Sequence, residues 1–166
     1  MGAVSLDEIR VTPLKRIAVA GGDVLHALKA TDAGFRTFGE AYFSMIEPGA
    51  IKAWKMHRRM TLNLVVPIGA VRFAFAADGG AATREETIGD ANYARLTVPP
   101  GIWFGFQGIS APFSLILNVA DIPHDPEEVV RQPQEALKFH WDAQPLVLPR
   151  EDGSYPIAVP GVTRVV

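Results

Sequence analysis

Lys55 and His57 stand one residue apart in the run Ile51-Lys52-Ala53-Trp54-Lys55-Met56-His57. Side chains on an extended strand alternate, so an amine and an imidazole at this spacing leave the same face. Inside a barrel the two would share one cavity. Each positive charge disfavours the other, and burial lowers both pKa values further. A lysine or histidine that is neutral near pH 7 accepts a proton, and an ammonium at Lys55 instead stabilises an enolate. Lys55 and His57 are therefore the candidate catalytic residues. The same two residues admit another account: a lysine paired with a buried carboxylate and a satisfied core histidine, in a pocket that binds without turning anything over.

A binding set surrounds them. Trp54, Trp103, Phe104 and Phe106 are aromatics that serve either as core or as a stacking platform for a base or sugar. Parity sends Trp103 and Phe104 to opposite faces, and Trp103 is the one expected to stack. Asn63 and Asn118 interrupt apolar runs and must find hydrogen-bond partners. They fix sugar hydroxyls or face solvent. Lys52, Arg58 and Arg59 flank the same segment, either to hold a diphosphate or as a solvated basic edge, and Lys52 is the preferred anion contact.

The elements that position these residues read as strands. Phe38 to Ile46, Leu62 to Val66, Val71 to Ala76, Ala94 to Val98, Ile102 to Phe106 and Phe113 to Val119 are short apolar runs separated by turn signals such as Glu47-Pro48-Gly49 and Pro99-Pro100-Gly101. Strand character also appears at Glu8 to Thr12 and Arg16 to Ala20. Two short helices are expected, one over Asp23 to Lys29 and one beginning at Pro126 toward Gln132. The fold class is mostly β, an antiparallel jelly-roll barrel with few short helices. Residues 1–144 read as a single domain and 145–166 as an extended Pro-rich tail.

Composition narrows the function. Lys and Arg number 16 against 18 Asp and Glu, so no broad basic field exists to bind nucleic acid. The chain has no cysteine, which removes disulfides, thiolate metal sites and cysteine nucleophiles. No apolar run reaches the roughly 18 residues of a membrane helix, and the first thirty residues lack a secretory core. The expected compartment is the cytoplasm.

Two spacings resemble the cupin motifs. Gly49 precedes Lys55-Met56-His57, which stands where cupins carry His-x-His; Gly69 closes that segment, and Pro99-Pro100-Gly101 leads after two residues to Phe104. Of the metal ligands expected in that pattern only His57 is present. Lys55, Thr61 or Leu62, and Phe104 occupy the others, and a lone imidazole beside an amine does not hold a divalent ion. A barrel without metal or other cofactor is expected, with Phe104 filling the place of the last ligand.

Among such cupins the chain resembles the dTDP-4-dehydrorhamnose 3,5-epimerase family, as a divergent branch. The resemblance runs from about Asp23 to Trp141. It rests on Gly39-Glu40-Ala41-Tyr42-Phe43-Ser44, Pro48 to His57, Met60-Thr61-Leu62-Asn63, Val98 to Phe106, Asn118 and Pro123-His124-Asp125-Pro126. It implies a nucleotide-sugar ligand, epimerisation or isomerisation beside a 4-keto group, and a homodimer that exchanges strands or arms. It also implies a base at position 55, where this chain has lysine. The segment that supplies the family's acidic tyrosine reads Ser114 to Asp121 here, without one. Thr31 to Phe35, followed by Glu40, resembles the family's nucleotide-contacting stretch, with Ala33 in place of its arginine. His124 is read as capping and loop packing.

Overall fold

Alternating inward and outward side chains build two five-stranded antiparallel sheets that pack face to face. The computed structural model describes residues 4–141; the tail assigned to 145–166 lies outside them. In chain order the strands are β1 (Arg10–Pro13), β2 (Arg16–Ile17), β3 (Val24–Leu25), β4 (Glu40–Ile46), β5 (Ile51–His57), β6 (Leu62–Ile68), β7 (Ala70–Ala77), β8 (Ala82–Gly89), β9 (Ala94–Val98), β10 (Trp103–Gly108), β11 (Ser114–Ala120) and β12 (Val129–Arg131). The first sheet runs β1-β9-β6-β11-β4, the second runs β12-β5-β10-β7-β8, and β2 pairs with β3 as a separate ribbon. This is the jelly-roll architecture expected from the sequence.

The core lies between the sheets. Leu62, Leu64, Leu96, Val98 and Ile116 from the first sheet meet Phe73, Phe75, Phe104 and Phe106 from the second. A second apolar cluster covers the outer face of the second sheet: Trp54, Ala74, Ala76 and Leu137, with Trp103, Phe139 and Trp141 against them. Arg72 lies over the Phe139 and Trp141 rings and bonds to Glu85, which anchors the segment carrying those rings to the sheet.

Of the two expected helices one is absent and the other is a single turn. Val24–Leu25 pairs with Arg16–Ile17 as strand, so Asp23 to Lys29 contains no helix. Pro126–Glu128 makes a single 3-10 turn capped by Asp125 rather than by His124, and the β-branched Val129-Val130 pair then continues as strand along β5. The structure also adds β8, whose charged sequence Ala-Thr-Arg-Glu-Glu-Thr-Ile-Gly hid it. Its polar residues sit on a partly solvated face while the backbone pairs with β7 throughout.

One irregularity matters for function. Phe104 pairs with Lys55 and Phe106 with Lys52, so three steps on β5 oppose two on β10. This bulge at Ala53-Trp54 re-aims the strand. It turns Lys52 to the side of Lys55, although odd spacing alone would put them on opposite faces. Gly105 makes room for it: a Cβ there would lie 2.5 Å from the Ala53 Cβ and 3.1 Å from Trp141. Gly105→Ala is expected to cost about 1–3 kcal/mol by overpacking, read as a lower urea midpoint with an unchanged slope.

Candidate active site

The inward face of β5 carries Lys55 and His57, as their spacing requires. The Lys55 ammonium sits 5.1 Å above the Phe104 ring and 5.8 Å above Phe106. The His57 ring stacks on Phe104 at 6.0 Å. Phe104 thus floors the site where the cupin pattern has a ligand. Burial, with the charges of Arg131 and Lys52 adding to it, lowers the Lys55 pKa to about 8.

His57 is held by a residue that the sequence did not single out. Its Nδ1 lies 2.6 Å from Glu128 Oε2, and the imidazole is 8% exposed and Glu128 2%. The other Glu128 oxygen accepts from the backbone N–H groups of Arg59 at 2.7 Å and Met60 at 2.8 Å. Burial raises the Glu128 pKa, and the Arg59 N–H, His57 and the Met60 N–H outweigh it, so the carboxyl stays ionised below its usual range. An ionised carboxylate only accepts, so Nδ1 carries the proton and Nε2 presents a lone pair. That Nε2 is buried and has no hydrogen-bond partner among the described residues. Burial lowers the His57 pKa despite the opposing pull of Glu128, which keeps the ring neutral at pH 7.

Beside these residues a cavity of about 240 Å³ is lined by Lys52, Ala53, Trp54, Lys55 and Arg131. Arg131 pairs with Lys55 across β12 and β5, which puts a third cation on the inward side. Lys52 reaches across to the other sheet and donates to the Met45 carbonyl at 3.1 Å. No ion pair holds Lys55 among the described residues; the carboxylate in this site faces the histidine.

The facing wall is the inward side of β4 and β11. Asn118 is 2% exposed, pairs with Tyr42, and donates from Nδ2 to the phenolic oxygen at 3.0 Å. Glu40 shares that face at the end of β4, paired with Ala120 of the core.

Three expected binding residues are placed elsewhere. Trp54 and Trp103 turn to the outer face of the second sheet, where the Trp54 indole donates to the Gln134 carbonyl and Trp103 packs in the same cluster. The bulge and the strand parity send both away from Lys55, so Trp103 is not placed to stack on a ligand beside Lys55. Asn63 lies on the outer face of the first sheet, where it donates to the Gly34 carbonyl and accepts from Thr97. It fastens the stretch from Thr31 to Phe35 over β6 and β9, helped by Arg95, which bonds to Asp32 and the Ala27 carbonyl. Arg59 pairs with Asp125 on the exterior. Glu128, Arg131 and Tyr42 are the residues that sequence reasoning missed as site components.

No protein-family model matches the chain. A dTDP-sugar isomerase from Desulfovibrio desulfuricans G20 is 33% identical, covers 84% of this chain and 94% of its own, and superposes with a TM-score of 0.79. The probable low-salt glycan biosynthesis epimerase Agl13 of Haloferax volcanii is 26% identical over 114 residues, which is 63% of this chain and 73% of that protein. A point mutant of the 3,4-ketoisomerase QdtA from Thermoanaerobacterium thermosaccharolyticum, solved with TDP-4-keto-6-deoxyglucose, shares the fold at 16% identity and a TM-score of 0.66, over 77% of this chain and 90% of that one. The chain is a jelly-roll cupin. It belongs to the family of the dTDP-sugar isomerase, as a divergent member.

The Glu128 contact dictates the histidine tautomer. In Glu128→Gln the side-chain oxygen keeps the two backbone N–H groups and the amide N–H₂ faces Nδ1, which must then accept. The proton moves to Nε2 and the inward lone pair is lost. Nitrogen NMR of the imidazole is expected to report Nδ1–H in the parent and Nε2–H in the variant, with the fold retained.

Proposed function

We propose that the protein removes a proton beside the ketone of a nucleoside-diphosphate-linked 4-keto sugar and returns it to give an epimer or isomer, in the synthesis of surface-polysaccharide or glycan precursors. The observation that carries this reading is the buried His57–Glu128 pair, whose Nε2 has no partner among the described residues, on the strand face that also carries Lys55. His57 is the base, oriented by Glu128. Lys55 pairs with the enolate oxygen as charge develops there, in a dry setting where that interaction is strong. Its aromatic surroundings keep water away without supplying a competing carboxylate.

Lys52 and Arg131 hold the diphosphate, with Asn118 and Glu40 as further contacts to the ligand. The basic lining of the cavity fits an anion of that size and does not fit a cation. The reaction runs without metal in this reading, since Lys55 and Phe104 stand at two of the positions where cupins place ligands. A cytoplasmic location goes with a nucleotide-sugar substrate and a cysteine-free chain.

We also propose that the chain pairs as a homodimer through the outer face of β4 and its neighbours. Phe43 is 62% exposed and Met45 59% on β4, Ile68 is 42% exposed at the end of β6, and Phe38, just ahead of β4, is 65% exposed. Exposed apolar area of this kind on an edge strand favours a partner surface. Sedimentation is expected to give a dimer that Phe43→Glu converts to monomer.

The test of the chemistry is proton NMR in deuterated water with a panel of dTDP-linked 4-keto sugars. The parent is expected to wash deuterium into the carbon beside the ketone, and Lys55→Met to slow this by about 10²–10³-fold. The rate should require neutral His57 and charged Lys55. It rises as pH climbs through the lowered His57 pKa, holds, and falls above about 8 as Lys55 loses its proton. Exchange that is absent with every sugar tested, or unaffected by Lys55→Met, contradicts the assignment.

A further inference from the structure

We infer that Trp141 is a positioning residue for the diphosphate contact: from the outer face of the second sheet it backs the bulge in β5 that turns Lys52 to the side of Lys55. This rests on the reading of Lys52 as a ligand for the diphosphate. Ala53 and Trp54, the residues of the bulge, belong to two surroundings at once. They line the cavity together with Lys52, Lys55 and Arg131, and they pack in the aromatic cluster on the outer face.

The bulge decides where Lys52 goes. On an unbroken strand with Lys55 inward, alternation would send Trp54 out, Ala53 in and Lys52 out. The observed register pairs Phe104 with Lys55 and Phe106 with Lys52, which gives β5 one extra residue. Ala53 then joins Trp54 on the outside, and Lys52 turns inward and reaches the Met45 carbonyl at 3.1 Å. The two arrangements differ by one residue of register. Whatever favours Ala53 and Trp54 outside therefore favours Lys52 inside.

The aromatic cluster supplies that preference. A Cβ on Gly105 would meet the Ala53 Cβ at 2.5 Å and Trp141 Cζ2 at 3.1 Å, so the methyl and the indole close over the same glycine. The Trp54 ring stands edge-on to Phe139 at 5.7 Å and against Trp141 at 5.4 Å, and those two rings meet at 4.6 Å. The Trp54 backbone exchanges hydrogen bonds with Gln132, at 2.9 and 3.0 Å, directly after Arg131. Arg72 lies 5.1 Å from the Phe139 ring and 5.9 Å from Trp141, and its pairing with Glu85 at 2.8 Å holds the rings down. Trp141 itself does not line the cavity, so its removal takes no group away from the ligand.

The experiment titrates the full chain with inorganic pyrophosphate and with dTDP by calorimetry. Lys52→Ala is expected to weaken both about tenfold or more. Trp141→Ala should weaken them about 5–10-fold, and Trp141→Phe, which keeps a ring over Gly105, should stay within about twofold of the parent. On the Lys52→Ala background, Trp141→Ala should add less than about twofold, because the residue it positions is gone. The Nδ1–H signal of His57 shows that the barrel interior is intact in each variant. A loss of fold alone lowers the fraction of chains that bind and leaves the dissociation constant of the rest. If Trp141→Ala loses that signal, Trp141→Leu, which keeps apolar cover without the ring, is read in its place. Parent affinity in the Trp141 variant, or an equal loss with and without Lys52, overturns the inference and leaves Lys52 as a ligand contact. A parent that binds neither probe, or a Lys52→Ala variant that binds like the parent, overturns the diphosphate reading and this inference with it.

Discussion

A single buried carboxylate organises the working end of this barrel. Glu128 arrives on a one-turn 3-10 segment and accepts three N–H groups, two from the backbone just after β5 and one from His57. A carboxylate in such a place is costly unless every oxygen is matched. Matching it fixes the end of β5, brings β12 alongside, and leaves the histidine with one permitted tautomer. The stability of the strand end and the readiness of the base are therefore consequences of one interaction. Because the carboxyl is ionised below its ordinary range, its contribution to stability is present above the unfolded carboxylate pKa and is lost as pH falls through the folded value.

The strand framework was legible from short apolar runs and their turns: β9 matches Ala94 to Val98 residue for residue, and β4, β6, β7, β10 and β11 differ only at their ends. Strands of mixed polarity were harder. β8 is dominated by Thr, Arg and Glu and is recognisable only once β7 lies beside it. The failed helix over Asp23 to Lys29 shows the reverse: a capping residue ahead of a weak pattern yields to pairing with Arg16–Ile17.

The site was legible where it depends on local periodicity and opaque where it depends on long-range partners. Period two sufficed to put Lys55 and His57 together. It misplaced Lys52 relative to them, because a bulge shifts register by one residue and leaves no mark in composition. Glu128 lies 71 residues from His57, and nothing near either one announces the other. Asn63 and Asn118 look alike in the sequence, yet one fastens an external loop and the other turns inward to meet Tyr42, since the two occupy opposite faces of neighbouring strands.

The arrangement of charge in the pocket suits an anion. Lys52, Lys55 and Arg131 gather on one inward edge with no carboxylate paired to Lys55 among the described residues, and desolvation and the resulting repulsion weaken the lysine's hold on its proton. A folded protein tolerates such a cluster when the opposing charge comes with the ligand. A diphosphate would relieve the repulsion at the mouth. With it bound, Lys55 would be held charged more firmly over the Phe104 and Phe106 rings, at the moment an enolate needs it. In the proposed reaction, binding and chemistry would be linked through a single amine: the substrate's charged handle would raise the proton affinity of the group that stabilises the reactive intermediate, and an uncharged sugar of the same shape would lack that effect.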